Sequence, residues 1–488
     1  MERREVLQIK PTNQSDGIYS FNNGSPQIEF DIPRVPKFLL GKTLRINGTF
    51  NLGTGVTAGA VAGDARGQLR PKNGYAAGGA SDGRKVRIDG RIGVQSTIDF
   101  VSISNLNGQS FEMIKNYNRL CASLQPKDYD VIDYFSGGTD MIMGATGKDI
   151  NTGRLCNKPF DFSIPIRAGI FEGDDTPINL QLVNGLHIVL QLASDAFATF
   201  NTAWEVGSAN DNSGTLGSGA SYQLSNITLT AEVVVPPAEA MASIVSNPSP
   251  EAFDYVAYSN YYNVLQTTDH TSVININTSR TIGFTMNMVP SQYVNNRYFN
   301  SSMTLPLVSA RSAAAISAPG VIKNLAPIQA VTYTRGGVRI PLDFVVDPSE
   351  AQAENVTSGS LEFTTLNNIQ KVYVRHHLMK NLQTELGLPS TFGGIAANNR
   401  SSGRYEDSAE LADNIPAFDL GVSFDHITEN GIDFRGNPLG IRLQADFYDG
   451  AGATPQTRVS PTVTSLYLYV KHKNSIIFDT NGGVRVIQ

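Results

Sequence analysis

Apolar residues in this chain return at every second position, in runs bounded by Gly, Asn, Asp and Pro. That period belongs to strands whose two faces meet different surroundings. Ile28, Phe30 and Ile32 alternate in PQIEFDIP; Leu44, Ile46, Phe50 and Leu52 alternate around Gly48; Leu186, Ile188, Leu190 and Leu192 share one face of GLHIVLQLA. Further runs are VQSTIDFVSIS (94–104), FDFSIPIRAGIF (160–171) and YQLSNITLTAEVVV (222–235). After a Pro-rich stretch near the midpoint the pattern resumes in SVININ (272–277), RTIGFTMNMV (280–289), IQAVTYTRGGVRIPLDFVV (328–346), FDLGVSFDHIT (418–428), GIRLQADFY (440–448) and TSLYLYVKHKNSIIF (464–478). One segment departs from the rule: Leu366, Ile369, Tyr373, His376 and Leu382 recur near helical spacing ahead of Gly387, which predicts a helix inside an insertion at 358–387.

The two halves echo each other. Phe160-Asp161 answers Phe418-Asp419, Gly185-Leu186 answers Gly440-Ile441, and Asn226 to Val235 answers Ser465 to Asn474. Strands separated by very unequal loops do not suit a propeller or an up-and-down barrel, whereas two-sheet Greek-key sandwiches tolerate them. The expected fold is all-β, two tandem eight-stranded antiparallel jelly rolls with long loops and a short helical insertion. The expected limits are an N-terminal arm at 1–25, a first jelly roll at 26–237, a connector at 238–270 and a second jelly roll at 271–488. Nine glycines and seven alanines between 53 and 83 read as a long loop. Gly336 and Gly337, in TRGGVR, read as a hairpin reversal.

Charge narrows the function. The chain has 488 residues, of which only 17 % are charged, against roughly 25 % in an average soluble domain. Its 38 Lys and Arg against 44 Asp and Glu leave a net charge of −6, which argues against coating phosphate backbones. Cys121 and Cys156 make no disulfide framework, and a reducing compartment during folding is the simpler expectation. MERREVLQIKP has no apolar core behind its charges, so neither a signal peptide nor a spanning segment is expected. That segment reads as a frayed terminus, or as an arm reaching an inner membrane or a neighbouring trimer.

FSIPIRAGIFEGDDTPINLQLVNGLHIVLQLA, the upstream SFEMIKNYNRL (110–120), YQLSNITLTAEVVV, and in the second half SRTIGFTMNM, GGVRIPLDFVV and LYLYVKHKNSIIFDTNGGVRVI together resemble the double jelly-roll major capsid proteins of tailless double-stranded DNA viruses. Within that group the likeness is to virophage and Polinton-like virus capsids. The resemblance implies a homotrimer with a nearly hexagonal outline that tiles an icosahedral shell, located in the virion and folded and assembled inside the host cell. Its implied partners are other copies of itself in the trimer and in neighbouring capsomers, a vertex penton protein, minor or cement capsid proteins and an internal membrane. No sequence-specific nucleic acid is expected. The alternative is a β-sandwich host-attachment or carbohydrate-binding protein; a cupin-type enzyme is a third.

Enzymatic chemistry finds little support in the residues. His187, His270, His376, His377, His426 and His472 form no HxH, HExxH or His/Cys cluster. His376 and His377 are adjacent on the predicted helix and point about 100° apart. GASDG at 79–83 matches GxSxG, but Ser81 lacks the strand before it and helix after it that a nucleophile elbow needs. Asp174-Asp175 sits in a polar turn, and Asp343 and Asp347 would need a third oxygen-rich segment to hold a cation. Trp204 reads as core packing or as a trimer anchor. The expectation is no enzyme, no catalytic, cofactor-binding or metal-binding residue, and no cofactor.

Overall fold

The computed structural model describes residues 3–14, 17–22, 25–52, 86–88, 92–128, 154–155, 159–172, 177–201, 221–240, 242, 253–265, 271–290, 328–340, 422–423, 431–445, 448–449, 457–458, 464–478 and 483–487. The Gly/Ala-rich loop, the predicted helix in 358–387, Ser81, Trp204, Cys156, His270, His376, His377, His426, the Asp174-Asp175 pair, Asp343 and Asp347 lie outside them.

Among the described residues, sixteen strands frame two sandwiches. The first eight are β1 Arg3–Ile9, β2 Gln27–Ile32, β3 Arg45–Leu52, β4 Ile98–Ser104, β5 Ser110–Lys115, β6 Phe160–Pro165, β7 Leu186–Leu192 and β8 Tyr222–Val235. The second eight are β9 Phe253–Leu265, β10 Thr271–Ile274, β11 Thr281–Pro290, β12 Ile328–Arg335, β13 Val338–Ile340, β14 Val422–Ser423, β15 Leu439–Ala445 and β16 Thr464–Phe478. In the first half the strands order as β1-β8-β3-β6 in one sheet and β2-β7-β4-β5 in the other. In the second they order as β9-β16-β11-β14 and β10-β15-β12-β13. Adding eight to every label of the first half reproduces the second. All these pairings are antiparallel, so each half is a jelly roll. Additions match too: Phe38–Leu39 pairs with β8 past the end of β3, and Val484–Ile487 pairs with β16 past the end of β11.

The alternation seen in the sequence is what separates core from surface. Ile28, Phe30 and Ile32 on β2, Leu186, Ile188 and Leu190 on β7, and Leu224 and Leu229 on β8 all point between the two sheets. Phe50 stacks between Phe160 and Tyr222, with ring centroids 5.0 and 6.1 Å away. In the second sandwich Phe284 lies against Tyr333 at 5.7 Å and meets Phe434 edge-on at 5.5 Å. Each such aromatic or aliphatic side chain contributes about 1.5–3 kcal/mol of burial. The Gly336-Gly337 hairpin also forms: Arg335 pairs with Val338, and both glycines take positive φ, at 53° and 86°.

Two expected boundaries move. Arg3–Ile9, expected in an arm, is the edge strand of the first jelly roll, paired in register from Arg3↔Val235 to Ile9↔Leu229. Its alternation is carried by partly buried Leu7 and Ile9 against exposed Arg4, Val6 and Gln8. Phe253–Leu265, expected in the connector, pairs with β16 along its whole length. Its buried residues fall at both parities, Tyr255 and Ala257 at odd positions and Tyr258 at an even one, where the first sandwich packs against the strand. The beginning of VQSTIDFVSIS is not strand either, since Gly93–Thr97 forms a buried 3-10 turn before β4.

Candidate functional site: the seam between the two sandwiches

The two jelly rolls meet along one flank, where buried polar groups converge. The first contributes the edge strand β5, the helix α1 (Tyr117–Asp128) that follows it, and the short helix α2 (Gly169–Glu172) that follows β6. The second contributes the outer face of its β9-β16-β11 sheet.

Glu112 on β5 is the centre of the seam. Its side chain accepts the backbone N–H groups of Gly169 and Ile170, both at 3.1 Å, and of Tyr258 on β9 at 2.8 Å. One carboxyl group thereby satisfies two orphan donors of α2 and one donor from the edge strand of the other sandwich. Only 4 % of Glu112 is exposed, and burial pushes its pKa up to about 8 against the pull of those three donors. Beside it the Tyr255 hydroxyl donates to the Phe111 carbonyl at 2.7 Å. The Tyr258 hydroxyl donates to Glu172 at 3.2 Å, and the other oxygen of Glu172 receives Arg167 Nε at 3.0 Å. Gly169 is placed where a Cβ would lie 2.1 Å from the Val256 carbonyl oxygen, so the two backbones approach as closely as a missing side chain permits.

A second cluster lies where α1 meets β11 and β16. Arg119 is fully buried, with Nη1 donating to Asn287 Oδ1 at 3.2 Å and the guanidinium 4.3 Å from the Tyr467 ring centroid and 4.9 Å from that of Phe197. Burial lowers its pKa against the attraction of Asp99, and among the described residues Nε and Nη2 have no hydrogen-bond partner. Aromatic faces replace water around the cation. Tyr469, also buried, donates its hydroxyl to the Asn116 carbonyl at 2.7 Å, and Asn116 turns the chain between β5 and α1 at φ 51°.

The remaining groups singled out from sequence fall elsewhere. His187 sits on the outer face of β7 beside Asp31, with Nδ1 2.6 Å from Oδ1. His472 lies inside the second sandwich: Nδ1 is 2.8 Å from Asn474 Oδ1 and Nε2 is 2.7 Å from Ser259 Oγ. That Ser–His–Asn order is the connectivity of a nucleophile relay, but burial pulls the imidazole down to about 4, too weak a base for work near neutrality. Asn474 passes the chain on to the Tyr255 hydroxyl at 3.4 Å, which ties this network to the seam. Cys121 is buried and unbridged, and burial pushes its thiol up to about 12, away from reactivity. Among the described residues no group of His, Cys, Asp and Glu is arranged to hold a metal ion. Glu112, Arg119, Gly169 and Tyr258 were not separable from sequence as a site, although β5 and the start of α1 lie in SFEMIKNYNRL.

The fold has solved counterparts. The chain is similar to the Faustovirus major capsid protein with a TM-score of 0.56, at 10 % identity over 98 % of this chain and 91 % of that one. Against VP54 of PBCV-1, in a crystal structure fitted into a cryo-EM reconstruction of the virophage Sputnik, the TM-score is 0.54, at 10 % identity over 100 % of this chain and 97 % of that one. A quasi-atomic model of the PBCV-1 virus capsid gives 0.53 at 10 % identity, over 100 % and 97 % of the two chains. At these identities it is the fold that is shared, along the whole length of both jelly rolls. No protein-family model and no curated protein matches the sequence.

Proposed function

We propose that this chain is a major capsid protein: a structural subunit that trimerises into a pseudo-hexagonal capsomer and tiles the icosahedral shell of a double-stranded DNA virus. The observation that carries the reading is the identical strand order of the two sandwiches, joined flank to flank by a buried seam. Two like blocks fixed side by side let a three-fold oligomer present six similar flanks. A chain whose role is to hold shape needs that angle held firmly, and the seam supplies buried hydrogen bonds and close backbone contact for it.

In this reading the two blocks run from about residue 3 to 235 and from 253 to 487, with the Pro-bearing segment between them as connector. The protein resides in the virion and carries no catalytic residue. Hexagonal tiles alone close only into flat sheets, so the five-fold vertices belong to a different protein. Minor proteins that cement neighbouring tiles fit the same scheme. Arg3–Ile9 is committed to a sheet, so a membrane-reaching arm made of those residues is not part of the proposal. The doubled sandwich with its buried seam favours the capsomer over a single carbohydrate-binding sandwich.

Sedimentation of the purified full chain tests the reading. The expected species has three times the 52.6 kDa chain mass, about 158 kDa. A persistent monomer at micromolar concentration contradicts it.

A further inference from the structure

The two sandwiches share a strand order, but their interiors differ at one pair of equivalent positions. His472 on β16 pairs with Ala257 on β9 as Val233 on β8 pairs with Glu5 on β1. Two residues further along the edge strands, Ser259 pairs with Val470 as Leu7 pairs with Ala231. Where the first sandwich has Val233 and Leu7, the second therefore has His472 and Ser259, with Nε2 2.7 Å from Oγ. His472 is only 2 % exposed. An aliphatic contact in one half is a buried, titratable pair in the other.

The partners of the ring fix its tautomer. Asn474 Nδ2 donates to the Tyr255 hydroxyl, so Oδ1 faces His472 as an acceptor and Nδ1 carries the hydrogen. Nε2 then accepts from the Ser259 hydroxyl. A second proton, on Nε2, would point at Ser259 Oγ and force that hydroxyl to turn away. The charge would also meet no carboxylate. In register the ring is flanked by Ala257 and Thr281, and the Thr281 hydroxyl is bonded to Thr278 at 2.6 Å. Tyr255 and Tyr261 are the titratable groups of β9 on that side, and burial raises both, so they stay neutral. Arg280, just ahead of β11, adds repulsion; it lies 3.7 Å from Asp254 and donates to Ser475 Oγ at 2.6 Å. Lys471 and Lys473 flank His472 on β16 and fall on the opposite face by alternation. In the neighbouring turn Asp433 holds Arg435 through its side chain and Arg335 through its carbonyl. Arg442 on β15 and Arg485 on the C-terminal strand are exposed.

We propose that the second sandwich is the acid-sensitive half of the chain: on acidification it opens between β9 and β16 while the first sandwich stays closed.

The pH window follows from the ring. Burial holds the imidazole at about 4 against 6.5, so its stabilisation is present above pH 6.5 and is lost as the pH falls through 4. The seam does not yield first, because the Glu112 contribution is complete below pH 4.5. The consequence is a subunit that keeps its first block and its seam in acid and loosens its second.

Hydrogen exchange of the full chain, read by mass spectrometry at pH 7 and pH 4 and corrected for intrinsic rates, tests the inference. Protection over 464–478 is expected to fall about a hundredfold more than over 222–235. Ser259→Leu combined with His472→Val copies the residues of the first sandwich, and in that variant the two segments are expected to respond alike. Should it fail to fold, His472→Gln, which keeps a polar side chain without titrating, decides in its place. Equal loss from both sandwiches of the unaltered chain overturns the inference, as does a folded variant that retains the difference. The readout is the same for one chain as for three, so neither result bears on the trimeric reading.

Discussion

Glu112 on β5, an edge strand of the first sandwich, accepts the backbone N–H of Tyr258 on β9, the first strand of the second, at 2.8 Å. That bond joins residues 146 positions apart and fixes the two jelly rolls at one angle. Replacing Glu112 with Ala leaves three buried N–H groups unpaired, each at about 1–3 kcal/mol. Urea unfolding is expected to show a loss of about 4 kcal/mol; a loss below about 1 kcal/mol contradicts the assigned role.

The pH dependence of stability carries two opposed contributions. The Glu112 carboxyl is raised from 4.5 to about 8 by burial, so its contribution is complete below pH 4.5 and is lost as the pH rises through 8. His472 is lowered from 6.5 to about 4 by burial, so its contribution is present above pH 6.5 and is lost as the pH falls through 4. Thermal midpoints followed from pH 4 to 9 are expected to keep the acid limb and lose the alkaline decline in Glu112→Gln. His472→Gln does the reverse. Parallel profiles in both variants and the unaltered chain contradict the assignment.

Gly169 tests the closeness of the seam. A Cβ there would meet Val256 backbone atoms at 2.1 and 2.6 Å, and backbone cannot swing aside as a side-chain tip can. Gly169→Ala is expected to cost about 1–3 kcal/mol, the range of an overpacked core. A melting temperature within a degree of the parent would show that α2 and β9 are not held in contact.

Arg119 predicts a difference between single and paired replacement. It is buried, donates to Asn287 and is attracted by Asp99. Removing one member of a buried pair strands the other, at about 3–5 kcal/mol, whereas replacing both with apolar residues is often neutral. Arg119→Met is expected to destabilise the chain in urea unfolding, and Arg119→Met combined with Asp99→Leu to recover most of that loss. A double variant that loses as much as the sum of the two single variants would contradict the pairing.

Much of this architecture is legible in the sequence because most strands have one face in a core and one in solvent. YQLSNITLTAEVVV coincides with β8 from Tyr222 to Val235, its alternation slipping phase once, at the bulge around Asn226, where the core face passes from Tyr222 and Leu224 to Ile227, Leu229, Ala231 and Val233. β1 and β9 escape for opposite reasons. RREVLQI lies at a sheet edge and holds its place with only Leu7 and Ile9 against the core, while FDYVAYSNYYNVL buries Tyr255 and Ala257 at odd positions and Tyr258 at an even one and so loses the period. The seam is less legible still. Glu112 is one acidic residue in SFEMIK until the fold brings β9 to it, and Gly169 is one glycine among 45 until Val256 is placed beside it.

Negative-stain electron microscopy of the purified full chain tests the central claim most directly. Class averages are expected to show particles with three-fold symmetry and six lobes in a hexagonal outline. Two-lobed particles of a single chain, or oligomers without three-fold symmetry, would contradict it.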